Sequence, residues 1–223
     1  MTKNQVPIFI TIKGNSQRCP GKNKKLLPFA YNYLKRQFLI SNTIVISEAQ
    51  ALLDYAISLG FTNTYKEPFN PKGSENESIY NCINALHIRT NWVILFPVCQ
   101  PLKSDNLIID CISHISPRYD FITSYNIVAD RSIFLLDDNN KFVVDSEERK
   151  GSLCKQTKMI DGAIYCIKYS FLEKCVKSEN ANKEFWAGNF DVVKNDTLFF
   201  DIDTREDMQQ FENTGIVFNE KKN

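Results

Sequence analysis

Six short runs along this chain, residues 6–12, 43–46, 92–96, 121–125, 164–167 and 198–202, are mostly apolar at successive positions rather than at every second one. A strand with one wet face alternates, whereas a continuous apolar run is covered on both sides. Between the second and third runs, residues 48–59 carry Leu52, Leu53, Ala56 and Leu59 on one helical face. Residues 78–88 carry Ile79, Cys82, Ile83 and Leu86 in the same way. Buried strands alternating with amphipathic helices predict a mainly parallel sheet with helices on both faces, a three-layer, doubly wound α/β domain. At 223 residues the chain suits one such domain spanning residues 1–223.

The first run delivers an unusual loop, Lys13-Gly14-Asn15-Ser16-Gln17-Arg18-Cys19-Pro20-Gly21-Lys22-Asn23-Lys24-Lys25. Gly14 and Gly21 allow a tight turn and close approach to a ligand, and Lys13, Arg18 and Lys22 can neutralise a multiply charged anion. The spacing fits neither the P-loop nor G-x-G-x-x-G. A solvated basic loop has the same composition, but a buried strand ending in cations predicts a nucleoside triphosphate as ligand. With 27 basic and 26 acidic residues the chain has no global field for nucleic acid or membrane, and its basic character is local.

Seven cysteines form no C-x-x-C pair, and the two histidines, His87 and His114, complete no zinc spacing. Thiols among apolar neighbours, such as Cys111, Cys166 and Cys175, are expected as small buried hydrophobes of a reducing, cytoplasmic compartment. The N-terminal run is too short for a signal peptide and no segment reaches the length of a membrane span, so a soluble protein is expected. About residues 132–159 the alternation breaks: Phe134-Leu135-Leu136, a turn at Asp137-Asp138-Asn139-Asn140, then Lys141-Phe142-Val143-Val144 read as a hairpin, followed by a polar stretch. Such an insertion is expected to protrude and pair with a partner chain.

A second chemical feature stands near the C-terminus, Asp201-Ile202-Asp203-Thr204. In a strand, Asp201 and Asp203 project from one face about 7 Å apart. That pair suits Mg²⁺, which takes one or two carboxylates and completes its shell with water and phosphates. Equally, Asp203 or Thr204 can cap the following helix, with Asp207 as a capping-box partner, leaving Asp201 to solvate the strand end. Open α/β sheets bind ligands at the carboxyl ends of their strands, where both the cationic loop and this acidic pair are expected.

Together these residues resemble the cytidylyltransferases that activate acidic sugars, most closely the acylneuraminate (CMP-sialic acid synthetase) family. Residues 13–25 look like its nucleotide loop, A-R-x-x-S-K-x-x-P-x-K-N, and residues 95–103 like its L-Q-P-T-S-P-L-R segment. Asp161-Gly162-Ala163-Ile164-Tyr165 is similar to its N-G-A-I-Y strand, and Asp201-Ile202-Asp203-Thr204 matches its D-I-D-T metal motif. The resemblance implies a Rossmann-like nucleotidyltransferase, homodimeric through the insertion, that joins CTP to a sialic acid-like nonulosonic acid and releases pyrophosphate.

It further implies that Lys13, Gly14, Asn15, Ser16, Arg18, Lys22 and Asn23 hold CTP, with Ser78 near the nucleotide, and that Asp201 and Asp203 hold Mg²⁺. Lys22, Lys13 and Asp203 then act on the reacting phosphate. Gln100, Lys103, Lys158 and Tyr165 stand at acceptor positions. The departures gather at the acceptor end: Pro97, Gln100 and Lys103 replace Gln, Ser and Arg, and Lys158-Met159 stands where Arg grips the sugar carboxylate. In the loop, Lys13 replaces Arg and Gln17 replaces Lys, and Ser47-Glu48 replaces S-T-D. Ser78 also fits a helix cap. Cys99 reads as a stand-in for the family's Thr rather than a nucleophile, and Phe185-Trp186 as core. No general base is evident.

Overall fold

A computed structural model of the protein describes residues 6–14, 16–69, 73–129, 138, 139, 141 and 156–216. Among them are seven strands: β1 (Ile8–Thr11), β2 (Thr43–Ser47), β3 (Asn63–Lys66), β4 (Trp92–Leu95), β5 (Phe121–Ala129), β6 (Gln156–Lys168) and β7 (Phe190–Lys194). They form one sheet in the order β3-β2-β1-β4-β6-β5-β7. Only β6 runs against its neighbours β4 and β5. The helices are α1 (Lys22–Arg36), α2 (Gln50–Leu59), α3 (Glu75–Ala85), α4 (Leu107–Ser113), α5 (Tyr169–Lys177), α6 (Ala181–Trp186) and α7 (Arg205–Asn213).

The continuous apolar strands are explained by two cores, one on each face of the sheet. Ile8 and Ile10 point to the face covered by Leu26, Leu27 and Leu34 of α1, Leu53 and Ala56 of α2, Ile108 and Cys111 of α4, and Met208 and Phe211 of α7. Phe9 between them points to the other face, under Ile79, Cys82 and Ile83 of α3, Phe171 and Leu172 of α5, and Phe185 of α6. Each buried side chain of this size contributes roughly 1.5–3 kcal/mol. The expected three-layer α/β architecture is therefore present, and Phe185 lies in the core as read, whereas Trp186, read with it as core, is 49% exposed.

Several elements differ from the sequence expectation. Residues 198–202 are not a strand of the sheet. Leu198 is 64% exposed, and only Ile202 is fully buried, its N–H donating to the Cys99 carbonyl at 3.0 Å. The apolar run thus covers a surface corner instead of crossing the core. Strands β3 and β7 were not expected; both are edge strands whose half-covered faces mix polar and apolar residues. Strand β6 reaches back to Gln156 and pairs with a β5 that extends to Ala129, so residues 156–159, read as the end of the insertion, belong to the ladder. The hairpin Phe134–Leu136 and Phe142–Val144 and the polar stretch 145–155 lie outside the described residues.

Helix α3 begins at Glu75, capped by Ser74, whose hydroxyl accepts from the Glu77 N–H at 3.2 Å. Ser78 is therefore an interior helix residue and not the cap. Thr204 does cap α7. Its hydroxyl accepts from Asp207 N–H, and the Asp207 carboxylate accepts from Thr204 N–H, a complete capping box.

Candidate active site

The carboxyl ends of the four adjacent parallel strands β3, β2, β1 and β4 share one rim of the sheet, and a cleft of about 680 Å³ opens there. Each strand end contributes the residue that follows it. Lys13 comes after β1, Glu48 after β2, Glu67 and Phe69 after β3, and Val98 and Cys99 after β4. Ser16, Gln17 and Arg18 from the cationic loop, Lys22 and Asn23 from the first turn of α1, and Asp201 and Asp203 complete the lining with Thr11 and Glu75. Two regions far apart in sequence, the loop and the acidic pair, thus meet across one cleft.

Their meeting point is Lys22. Its amine donates to the Ile202 carbonyl at 2.8 Å and to Asp203 Oδ1 at 3.0 Å. Arg18 reaches the other carboxylate oxygen, Oδ2, at 2.9 Å. The two cations differ in restraint: the Lys22 side chain is 13% exposed and that of Arg18 is 69% exposed. Lys22 is a fixed charge, whereas Arg18 is a surface arm free to follow an arriving anion. Asn23 is buried and points back, its amide donating to the Lys13 carbonyl at 2.7 Å, so it shapes the loop from inside. The Lys13 amine donates to the Gly73 carbonyl at 2.9 Å, tying the loop to the approach of α3.

Gly14 is required by crowding. A Cβ there would come within 2.6 Å of the Ala49 side chain, and the Gly14 N–H donates to Glu48 Oε1 at 2.7 Å. The Ser47-Glu48 departure therefore has a structural role: an acidic side chain holds the amide of the nucleotide loop. Across the cleft, Thr11 donates to Glu75 Oε1 at 3.1 Å. Surrounding protein raises the Glu75 carboxyl, opposed by the Thr11 hydroxyl and by Lys13 and Lys22; the side chain keeps contact with solvent, which moderates the shift.

Partial burial raises the Asp201 carboxyl above its ordinary value, and the nearby charge of Asp203 adds to this; Lys22 and a hydrogen bond from the Cys99 thiol act in the opposite sense. Two carboxylates that repel each other at the edge of an open cleft fit a hard divalent cation, which relieves the repulsion and leaves room for water and phosphate oxygens. Burial pushes the Cys99 thiol up to about 12, which makes it a slow nucleophile at neutral pH.

The residues expected at the acceptor end are placed differently. Gln100 and Lys103 are buried and do not line the cleft. The Lys103 amine donates to the Pro97 carbonyl at 3.0 Å and to the Gln100 carbonyl, and stands 4.1 Å from the centre of the Phe96 ring. Lys158, on β6, lies 4.8 Å from the Tyr125 ring centre. Tyr165 packs against Phe185 with ring centres 6.0 Å apart, its phenol pushed up to about 12 by burial. Ser78 is buried on α3. None of these five borders the cleft. Asn15 lies outside the described residues.

The segment Asp161-Gly162-Ala163-Ile164 bulges out of the β5–β6 ladder, where pairing jumps from Thr123–Tyr165 to Tyr125–Ile160. Gly162 takes φ 66°, open to glycine at little cost. The buried Asp161 carboxylate closes the bulge, accepting from Ser124 Oγ, from Ala163 N–H at 3.0 Å and from Asn195 Nδ2 at 2.8 Å. Asp161 is thus a structural acid. Glu67, Phe69 and Glu75 escaped the sequence reading, the first two because β3, which carries them to the rim, has no apolar run.

No helix among the described residues is long and apolar enough to cross a membrane. No protein-family model matches the sequence. No curated protein matches it either. Solved structures do match in fold. A CMP:2-keto-3-deoxy-manno-octonic acid synthetase complexed with CTP superposes with a TM-score of 0.66 at 11% identity, covering 95% of this chain and 98% of that one. The 4-diphosphocytidyl-2C-methyl-D-erythritol synthase of Anaerococcus prevotii gives 0.64 at 16% identity, covering 96% and 99%. The bifunctional IspDF of Campylobacter jejuni gives 0.60 at 18% identity over 92% of this chain, which spans about half, 54%, of that longer protein. The seven-stranded, mostly parallel sheet with its flanking helices is the Rossmann-like nucleotidyltransferase fold that these cytidylyltransferase structures share.

Proposed function

We propose that the chain is a cytidylyltransferase that transfers CMP from CTP to an acidic sugar, a sialic acid-like nonulosonic acid, and releases pyrophosphate. One observation carries the reading: Lys22, at the start of the helix behind the nucleotide loop, is bonded to both Ile202 and Asp203 of the acidic segment. That contact brings the cationic loop and the acidic pair into one cleft at the carboxyl rim of the sheet, where a triphosphate and its metal would bind. The choice of CTP rests on the resemblance of residues 13–25 and 201–204 to the cytidylyltransferase motifs, since the fold is shared both by a synthetase complexed with CTP and by a protein complexed with GMP-PN.

In this reading the acceptor oxygen gives up its proton to water and attacks the α-phosphorus of CTP in line, the α–β anhydride bond breaks, and pyrophosphate leaves with the electron pair of that bond. Mg²⁺, held by Asp201 and Asp203, would neutralise charge on the phosphate oxygens. Lys22 presents a fixed cation to the triphosphate, and Arg18 exchanges its bond to Asp203 for a phosphate oxygen. Lys13 and Asn23 hold the loop in the shape that exposes its remaining amides. No side chain is needed as a covalent participant. On the same reading the protein works in the cytoplasm as a homodimer.

The acceptor is the open half of the proposal. Gln100, Lys103, Lys158 and Tyr165 do not border the cleft, and this favours, as a second reading, an acceptor other than sialic acid, such as another keto sugar acid or a phosphonate. Release of pyrophosphate from CTP and Mg²⁺ should be measured against a panel of sialic acid, other nonulosonic acids, shorter keto sugar acids and phosphonates. Turnover confined to the last two groups selects the second reading, and none with any acceptor, despite calorimetric CTP binding, would reduce the chain to a nucleotide-binding protein.

A further inference from the structure

One buried cation takes no part in the chemistry above. Lys103 follows β4 in the loop that carries Val98 and Cys99 into the cleft, yet it is itself buried, 8% exposed, and does not line the cleft. Its partners are the carbonyls of Pro97 and Gln100 and the face of Phe96. No carboxylate forms an ion pair with it among the described residues. Asp161, whose charge reaches it, is already bound to Ser124, Ala163 and Asn195. A buried ammonium without a counter-ion is costly, and burial lowers this amine to about 7.

What the amine accomplishes is local. By clasping the carbonyls at both ends of residues 97–100, it fixes the turn that contains Cys99. The Cys99 carbonyl accepts from the Ile202 N–H at 3.0 Å, and the carbonyl of Ile202 accepts from Lys22 at 2.8 Å. The Ile202 side chain is fully buried. Its peptide is therefore held from both sides, and it is the residue between Asp201 and Asp203. Any shift of the Cys99 carbonyl moves both carboxylates relative to Lys22.

We propose that Lys103 is a positioning residue for nucleotidyl transfer: by clasping residues 97–100 it sets the Cys99 carbonyl that anchors Ile202, and so places Asp201 and Asp203 against Lys22. The proposal rests on the reading of the cleft as a CTP site. It replaces an acceptor contact with an internal strut, and it accounts for a polar side chain that faces the protein where a substrate ligand would face the cleft.

Lys103→Met keeps the length of the side chain and removes its donors. In the folded variant, kcat for CTP-dependent pyrophosphate release should fall at least about tenfold while KM for CTP changes by less than about threefold, because the triphosphate loop is untouched. Alkylation of Cys99, followed by peptide mass spectrometry, supplies a readout independent of turnover. Loosening the loop should speed it by about tenfold. The direct electrostatic effect runs the other way, since losing the Lys103 charge raises the Cys99 thiol further and slows alkylation. Faster labelling therefore reports a loosened loop and not an altered thiol.

A folded Lys103→Met protein with unchanged kcat and unchanged Cys99 labelling overturns the proposal. If that variant does not fold, Lys103→Gln, whose amide still donates to one carbonyl, takes its place. Failure of both to fold also overturns the proposal, by making Lys103 a general folding requirement. Wild-type protein that neither binds CTP nor releases pyrophosphate would overturn the reading of the cleft, and the labelling would still uphold or overturn the clasp by itself.

Discussion

The end of the cleft proposed to hold the nucleotide and the segment expected to meet the acceptor use similar residues in opposite ways. At the nucleotide end, Lys22, Arg18 and Asp203 stand at the cleft wall and bind one another there, where an incoming phosphate or metal can exchange with them. At the other end, Lys103, Gln100 and Asp161 are covered; the Lys103 amine is satisfied by loop carbonyls and the Phe96 face, and the Asp161 carboxylate by the β5–β6 bulge. The contrast teaches that a matched motif position does not decide whether its side chain serves a ligand or the scaffold. Partner and burial decide that.

The comparison breaks most sharply if the two acids, Asp203 and Asp161, behave alike. Asp203→Asn should reduce CTP-dependent pyrophosphate release by about hundredfold or more, since a charge at the reacting centre is lost, while leaving thermal stability nearly unchanged. Undiminished turnover in steady-state assays would remove Asp203 from the chemistry. Asp161→Ala should do the reverse through the fold. It leaves Ser124, Asn195 and the Ala163 N–H without their acceptor in a buried bulge and should cost about 3 kcal/mol in urea unfolding.

A pH-dependent effect reports on the buried lysine. The Lys103 amine is lowered to about 7 in the folded protein, against 10.5 in the unfolded chain. Between those values the unfolded chain binds a proton that the folded protein lacks, so Lys103 makes stability rise with pH, by up to about tenfold in the unfolding constant per pH unit. Below about 7 both states are protonated and the dependence vanishes. Chemical denaturation of wild type against Lys103→Met from pH 6 to 10 reads the difference, and parallel curves would show that the amine is not desolvated. The smallest change is expected at the border of the acidic segment. Thr204→Ala removes one half of the capping box and should lower stability by about 1 kcal/mol in the same assay, with kcat altered much less than in Asp203→Asn.

Much of the nucleotide end was legible in the sequence. The step from a buried strand to Lys13–Lys25, the two-residue spacing of Asp201 and Asp203 around an apolar Ile202, and Thr204 with Asp207 as a cap are local patterns. Local patterns survive folding when the element is long or its neighbours in sequence complete it. The outward–inward–outward order at Asp201, Ile202 and Asp203 holds even though no strand forms there, because burial of Ile202 alone enforces it. Edge strands β3 and β7 were not legible, since they need no apolar run, and with β3 went Glu67 and Phe69 of the cleft wall.

Periodicity and composition by themselves determined the layered α/β architecture, the strand that feeds the cationic loop, and the helix cap behind the acidic pair, because hydrophobic burial at a period of two or 3.6 residues is written along the chain. Only the tertiary structure decided that Lys22 meets Asp203 across 181 positions of sequence, that Glu48 holds the Gly14 amide, and that Lys103 turns inward to Pro97 and Gln100. A long polar side chain is free to rotate, and its direction is set by whichever carbonyl, ring or carboxylate the fold brings within reach.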